Sequence, residues 1–229
     1  MQSEKGSEMR HFDEIYDIAA HRKGGPDALE ALLSTPRSKA ELRAIPDDRW
    51  LSEMARCLFQ AGFNWKVINA KWPGFEAGFD GFDPARVGFY HDDDIDRLLS
   101  DRDIVRNGAK IAAVIANARF VLDLAAKHGS AAAFFAEWPG ADHIGLLQLL
   151  SKSGARLGGT TGQRMLRNMG KDGFILSPDV SARLVAEGVV DKPPTSKRDM
   201  AATQAAFNTW AEQSGRGLTQ ISQVLAYSV

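Results

Sequence analysis

A single cysteine in 229 residues, Cys57, excludes an intrachain disulfide and any zinc site that needs two or more thiolates. Histidine is scarce as well: His11, His21, His91, His128 and His143 form neither HExxH nor another close pairing with ligand spacing, so no metal or other cofactor is expected. No stretch approaches the ~20 consecutive apolar residues of a membrane span. The opening MQSEKGSEMRHFDE has no apolar core of the kind a secretory signal needs, which leads to the expectation of a cytoplasmic protein without a membrane partner. Excess charge of one sign is also missing. With 28 Lys and Arg against 29 Asp and Glu the net charge is −1, so the molecule as a whole is no non-specific nucleic-acid binder, and any such contact must come from a local patch. Nothing alternates apolar with polar over strand length between turn signals, which leaves an all-α class.

What is present reads almost throughout as helix. Residues 47–63, DDRWLSEMARCLFQAGF, place Trp50, Leu51, Met54, Ala55, Leu58 and Phe59 at helical spacing behind Asp47 or Asp48 as N-cap. The next stretch, NWKVINAKWPGFEAGF, starts at a cap on Asn64 and is expected to break at Pro73-Gly74. After GFDP, the three aspartates of HDDDIDRLLSD suit a helix N-terminus and are read as capping rather than metal-binding. The longest helix is NGAKIAAVIANARFVLDLAAKHGS, with an apolar stripe from Ile111 to Ala125 and Gly129 as its C-cap. Further helices are expected in GLLQLLSKS, TTGQRMLRNMG, VSARLVAEG, RDMAATQAAFNTWAEQSG and LTQISQVLAYS, with a linker around Lys192-Pro193-Pro194. The expected organisation is one two-lobed domain over 1–229. A helical lobe covers about 47–130, a hairpin lobe about 143–190, and C-terminal helices about 196–229.

Residues 149–170, LLSKSGARLGGTTGQRMLRNMG, carry the clearest chemistry. Two short helices joined by a Gly-rich turn can aim backbone N–H groups at one point, which suits a phosphate. Gly154, Gly158 and Gly159 permit positive φ and close backbone approach, and Thr160 and Thr161 can cap the second helix or donate to the phosphate. Lys152, Arg156, Arg164, Arg167 and Lys171 follow one another with no acidic residue until Asp172, forming the local basic patch. Such a patch holds a DNA backbone without reading sequence. An αα-corner with a solvated basic helix is the structural alternative. Asp179, in LSPDVSARLV, opens the following helix. It is either a helix cap or a carboxylate that stabilises a cationic sugar and orients a water.

From Phe59 to Leu124 the chain carries Gln60, Ala61, Gly62, Trp65, Phe82, Asp83, Pro84, Ile104, Arg106, Lys110, Ile111, Ala113, Asn117 and Ala118. In order and spacing these resemble the QAGLSW, F-x-x-FDP and I-x-R-x-x-KI-x-A-x-x-NA elements of the DNA-3-methyladenine glycosylase I family, within the helix-hairpin-helix DNA glycosylase superfamily. GGTT at 158–161 is similar to that family's VGTT, and LGGTTG at 157–162 to the wider hairpin pattern. The resemblance implies an aromatic base platform at Trp65, a base pocket completed by Gln60, Cys57 and Phe63, and a hairpin clamp from Lys152, Gly154, Arg156, Gly158, Gly159, Thr160, Thr161 and Arg164. The superfamily's catalytic aspartate, about twenty residues past the hairpin, falls at Asp179, or at Ser177 in the alternative register.

Departures are equally specific. Cys57 stands where the family has a base-reading glutamate, and Ala20 where it has a stacking aromatic. Of the family's zinc ligands, two cysteines and two histidines, His21 is the one candidate counterpart. Thr160 replaces the lysine that gives bifunctional members lyase activity. The sequence therefore leads to the expectation of a monofunctional glycosylase, acting as a monomer on damaged double-stranded DNA and removing an alkylated purine in base excision repair. A non-catalytic lesion-binding protein of the same fold is the alternative.

Overall fold

The alternation of apolar stripes with capping residues folds as the periodicity requires. In the computed structural model, which describes residues 9–229, the chain is helical, and no strand occurs among the described residues. Residues 1–8, most of the polar opening from which the absence of a signal segment was read, lie outside the described residues. In chain order the helices are α1 (Phe12–Lys23), α2 (Pro26–Glu30), α3 (Lys39–Arg43), α4 (Asp47–Gln60), α5 (Trp65–Ala70), α6 (Trp72–Gly78), α7 (Pro84–Val87), α8 (Asp92–Ser100), α9 (Gly108–His128), α10 (Ala131–Glu137), α11 (His143–Ser153), α12 (Gly159–Met169), α13 (Pro178–Ala186), α14 (Lys197–Ser214) and α15 (Leu218–Tyr227).

Two compact units emerge. One, the pocket unit, is Arg37–Trp138 with Leu146–Lys171; the other, the terminal unit, is the stretch up to Pro36 with Pro139–Gly145 and Asp172–Val229. The division differs from the lobes drawn on the sequence, because hairpin helix α12 packs on α4 and shares its core. Leu150, Leu157, Met165, Leu166 and Met169 are buried in one cluster with Trp50, Leu51, Met54 and Leu58.

Caps follow the sequence in part. Asn64 starts α5, the three aspartates fill the first turn of α8, and Gly129 ends α9 with φ 84°. Asp47 does not cap its own helix. Its carboxylate accepts from the N–H groups of Ala131 and Ala132 at 3.0 Å each, so it caps α10 while Pro46 precedes α4. Pro73-Gly74 does not break a helix but opens α6: Pro73 sits in the first turn, where its missing N–H costs nothing. A Cβ on Gly74 would collide with the Asp103 carbonyl, which passes close by. Asp83 accepts from Ala85 N at 2.9 Å ahead of Pro84, so the FDP element is a helix start, with Phe82 stacked on Trp72 at 5.4 Å.

In the pocket unit an ionic knot ties α4 to α6. Glu76 accepts from Arg49 Nη1 and Nη2 at 2.9 and 3.0 Å, from Ser52 Oγ at 2.8 Å and from Trp72 Nε1 at 3.0 Å. Arg49 Nη2 also donates to the Gly81 carbonyl at 2.6 Å. Burial pushes the Glu76 carboxyl up, but the hydrogen bonds and the charge of Arg49 outweigh it, so the group lies below its ordinary value. In the terminal unit, Glu187 is buried between Arg10 (2.8 Å) and Arg183 (3.1 Å), and Asp172 caps α15 through Leu218 N and Thr219 N.

A depressed folded-state value means that Glu76 contributes stability in full above the ordinary glutamate value of 4.5, and that this contribution is lost as pH falls through the lower folded value. Glu76→Gln should lower unfolding free energy at pH 7 by about 1–3 kcal/mol. It should also flatten the acid limb of a plot of urea midpoint against pH; an unchanged acid limb would assign the acid sensitivity to other carboxylates.

Candidate functional site

Two buried polar side chains on α9 position the site. Lys110 donates from Nζ to the carbonyls of Phe59 (3.0 Å) and Ala61 (2.7 Å), groups that the end of α4 leaves without intrahelical partners. A cation there also suits the C-terminal end of the α4 dipole. Burial, and then the charge of Arg156, draws the Lys110 ammonium below its ordinary value. The chain turns at Gly62, whose φ of 75° is the left-handed region that favours glycine, and Asn64 accepts from Lys66 N at 2.9 Å to start α5. The QAGFNW element is thus a helix end, a left-handed turn, a cap and a first helical residue. It leaves Trp65 48% exposed.

Seven residues on, two helical turns or about 10.5 Å along α9, Asn117 is fully buried. Its amide donates to the Ala155 carbonyl at 3.1 Å and accepts from Ala155 N at 2.8 Å, clamping the turn between α11 and α12. Conformational freedom in that turn is distributed differently from the expectation. Gly159 has φ 57°, but the other left-handed residue is Arg156 (φ 58°), and Gly158 sits at φ −76° as the N-cap of α12. Gly154 serves close approach, since a Cβ would lie 2.7 Å from Leu157 Cδ1 and 2.8 Å from the Leu150 carbonyl. Gly162 likewise packs against the Leu157 carbonyl. Thr160 and Thr161 do not cap α12, because that place falls to Gly158.

Between the end of α4 and α12 lies a cavity of about 210 Å³, lined by Cys57, Gln60, Ala61, Gly62, Trp65, Thr160, Thr161 and Arg164. Six of the residues singled out from the sequence therefore meet: Cys57, Gln60, Trp65, Thr160, Thr161 and Arg164. The Arg164 guanidinium stacks over the Trp65 ring, 4.6 Å from its centroid. Gln60 is held by Asn69, to whose Oδ1 its Nε2 donates at 3.0 Å. Phe63 is not part of the lining; its ring lies under the Lys110 ammonium at 4.4 Å. Lys152 is exposed and Arg156 half-buried on the hairpin, as a backbone-binding patch requires, but Lys171 leaves the patch: it is buried and donates to the Trp138 carbonyl at 2.6 Å.

Cys57, 5% exposed, donates to Glu53 Oε1 at 3.3 Å, and the same oxygen accepts from Asn168 Nδ2 at 2.7 Å. Burial, then the Glu53 charge, pushes the thiol well above its ordinary range, so it stays protonated. Glu53 and Asn168 escaped the sequence reading; the i, i+4 spacing of Glu53 to Cys57 is the signal that finds the first. Asp179 lies in the terminal unit, exposed in the first turn of α13, with Ser177 as the N-cap accepting from Val180 N at 3.1 Å. Among the described residues no group of three or more His, Cys, Asp or Glu is arranged to hold a metal, and no helix is long and apolar enough to cross a membrane.

Removing the clamp leaves the Ala155 N–H and C=O without their partner. Asn117→Ala should therefore cost about 1–3 kcal/mol in denaturant unfolding. It should also cut affinity for duplex DNA, measured by fluorescence anisotropy, more than it changes the far-ultraviolet helix signal; unchanged affinity would show that the turn needs no clamp.

Residues 44–191 match the methyladenine glycosylase family. The DNA-3-methyladenine glycosylase 1 of Escherichia coli (strain K12) is 39% identical over 80 residues, 34% of this chain and 42% of that protein, so the matched stretch spans less than half of the curated relative. Among solved structures, the 3-methyladenine DNA glycosylase I of Staphylococcus aureus is 21% identical with a TM-score of 0.50, over 68% of this chain and 91% of that one. The 8-oxoguanine DNA glycosylase of Methanocaldococcus jannaschii is 14% identical with a TM-score of 0.53, over 92% and 89%. At these identities the likeness is one of fold, the all-α fold of the helical DNA glycosylases.

Proposed function

This chain belongs to the methyladenine glycosylase family, and from that premise we propose that it is a monofunctional DNA glycosylase, releasing an alkylated purine of the 3-methyladenine kind from damaged double-stranded DNA in base excision repair. The observation that carries the reading is the cavity in which Trp65, Gln60 and Cys57 face Thr160, Thr161 and Arg164 of the hairpin helix. At about 210 Å³ it is smaller than the roughly 300–1,000 Å³ of pockets for drug-sized ligands, a size suited to a single extruded base. Trp65 offers the stacking face, and the hairpin with Lys152, Arg156 and Arg164 offers cations to the phosphates.

An alkylated purine carries positive charge on the duplex and leaves readily, so the chemistry asks for stabilisation of an oxocarbenium-like sugar more than for a strong nucleophile. That role is assigned to the carboxylate of Asp179, which also orients the attacking water. Thr160 has no amine with which to form a Schiff base, so base release is expected without strand nicking. The protein is taken to act in the cytoplasm as a monomer. One observation favours a second reading, a non-catalytic lesion binder: the pocket wall presents the thiol of Cys57 and no carboxylate of its own.

DNA treated with a methylating agent, incubated with the protein and analysed by chromatography, should yield a methylated purine. Asp179→Asn should slow release by about 100-fold or more while leaving salt-sensitive DNA binding intact. Equal release by the variant would take the chemistry away from Asp179. No release by the wild-type protein, with binding retained, would select the non-catalytic binder.

A further inference from the structure

The cavity wall contains a polar arrangement that the stacking platform and the hairpin do not use. Cys57 is buried on α4 with its sulfur lining the cavity, and one turn earlier on the same helix Glu53 has a side chain only 15% exposed. Glu53 Oε1 takes the thiol proton at 3.3 Å and the Asn168 amide at 2.7 Å, while Asn168 Nδ2 also lies 3.6 Å from the sulfur. Arg56 Nε, 3.8 Å from the other carboxylate oxygen, leaves the carboxylate a charged partner on its far side.

A neutral thiol has one proton and weak acceptor capacity on sulfur. If that proton is committed to a carboxylate, it is not offered to a ligand, and the sulfur meets the ligand as an acceptor. Burial and the Glu53 charge both hold the thiol protonated, so the arrangement persists at neutral pH. The same wall without Glu53 could rotate its S–H into the cavity and turn from acceptor to donor.

We propose that Glu53 is a positioning residue that fixes the Cys57 thiol as a hydrogen-bond acceptor, and that the pocket thereby favours a base edge bearing N–H groups, as on a 6-aminopurine, over one bearing a carbonyl at the same place. The proposal rests on the assignment of this cavity to an extruded purine. A carbonyl edge brings two acceptors together and leaves both unsatisfied, whereas an amino edge completes the pair. Discrimination of this kind comes mainly from the cost of the mismatched, unpaired groups.

The test measures binding of free 3-methyladenine and free 3-methylguanine by quenching of tryptophan fluorescence, alongside release of both bases from methylated DNA. The wild-type protein should bind the adenine derivative more tightly. Glu53→Met should reduce that preference five- to ten-fold, chiefly by weakening 3-methyladenine, and Cys57→Ala should do the same. In the Cys57→Ala background Glu53→Met should change the preference no further, because the two residues act as one unit. A purely structural Glu53 would weaken both bases equally at constant ratio, and that result overturns the proposal. So does a Glu53 effect on the ratio that survives loss of the thiol. Should Glu53→Met not fold by thermal melting, Glu53→Gln, which keeps an acceptor oxygen but not the charge, should shift the ratio in the same direction by a smaller factor; no shift would overturn the idea. Selective binding that depends on Glu53, with no base released by the wild-type protein, would support this inference while refuting the glycosylase reading. Release with an unchanged ratio in Glu53→Met would do the reverse.

Discussion

The buried side chains of Lys110 and Asn117 on α9 are the constraint on which the pocket depends. Each satisfies backbone groups that a helix end or a tight turn would otherwise leave unpaired: Lys110 the carbonyls of Phe59 and Ala61, Asn117 the N–H and C=O of Ala155. Both anchors are in place before any ligand arrives. One holds the loop that presents Trp65; the other holds the hairpin whose second helix presents Thr160, Thr161 and Arg164. Opposite walls of the cavity are thereby referred to a single rigid element, which is how a small pocket keeps its dimensions without lining residues bonding to one another across it.

This division of labour explains which parts of the molecule could be read from sequence. Helix positions followed from periodicity and capping residues, and Asn64, Gly129 and the aspartates of α8 act as their types suggest. The pocket was legible through spacing in QAGFNW and GGTT, since Cys57, Gln60, Trp65, Thr160 and Thr161 meet around one cavity. Features that depend on tertiary neighbours were not legible. Asp47 looks like the cap of its own helix, yet the ends of α10 are nearer to its carboxylate. Lys171 looks like one more cation of a basic run, yet it is turned inward onto a carbonyl. Glycine in the hairpin marked the turn correctly but not its mechanism, because Gly154 and Gly162 are required by packing and the left-handed φ falls partly to Arg156.

Electrostatics in the pocket unit is local to the same degree. The near-zero net charge of the chain conceals a hairpin with exposed Lys152 and Arg164, a buried ammonium under the QAG turn, and a carboxylate one turn behind the cavity wall. Each of these charges is held against a specific partner, so their effects add at short range and cancel at long range, where salt screens what remains. Attraction to a polyanion and selection among bases are thus assigned to different side chains on the same helix, α12 carrying Arg164 on one turn and Asn168 on the next.

The stack of Arg164 on Trp65 makes the free protein its own competitor. A guanidinium over an exposed indole is worth roughly 0.5–1 kcal/mol, so a ring that takes its place binds about two- to five-fold more weakly than it would to a bare platform. Bases that merely stack are discounted by that factor, and a base recovers it only if the displaced arginine gains as good a contact elsewhere, for which a neighbouring phosphate is the natural recipient. The platform is in this sense cleared in exchange for backbone contact, linking vacancy of the aromatic face to engagement of the strand.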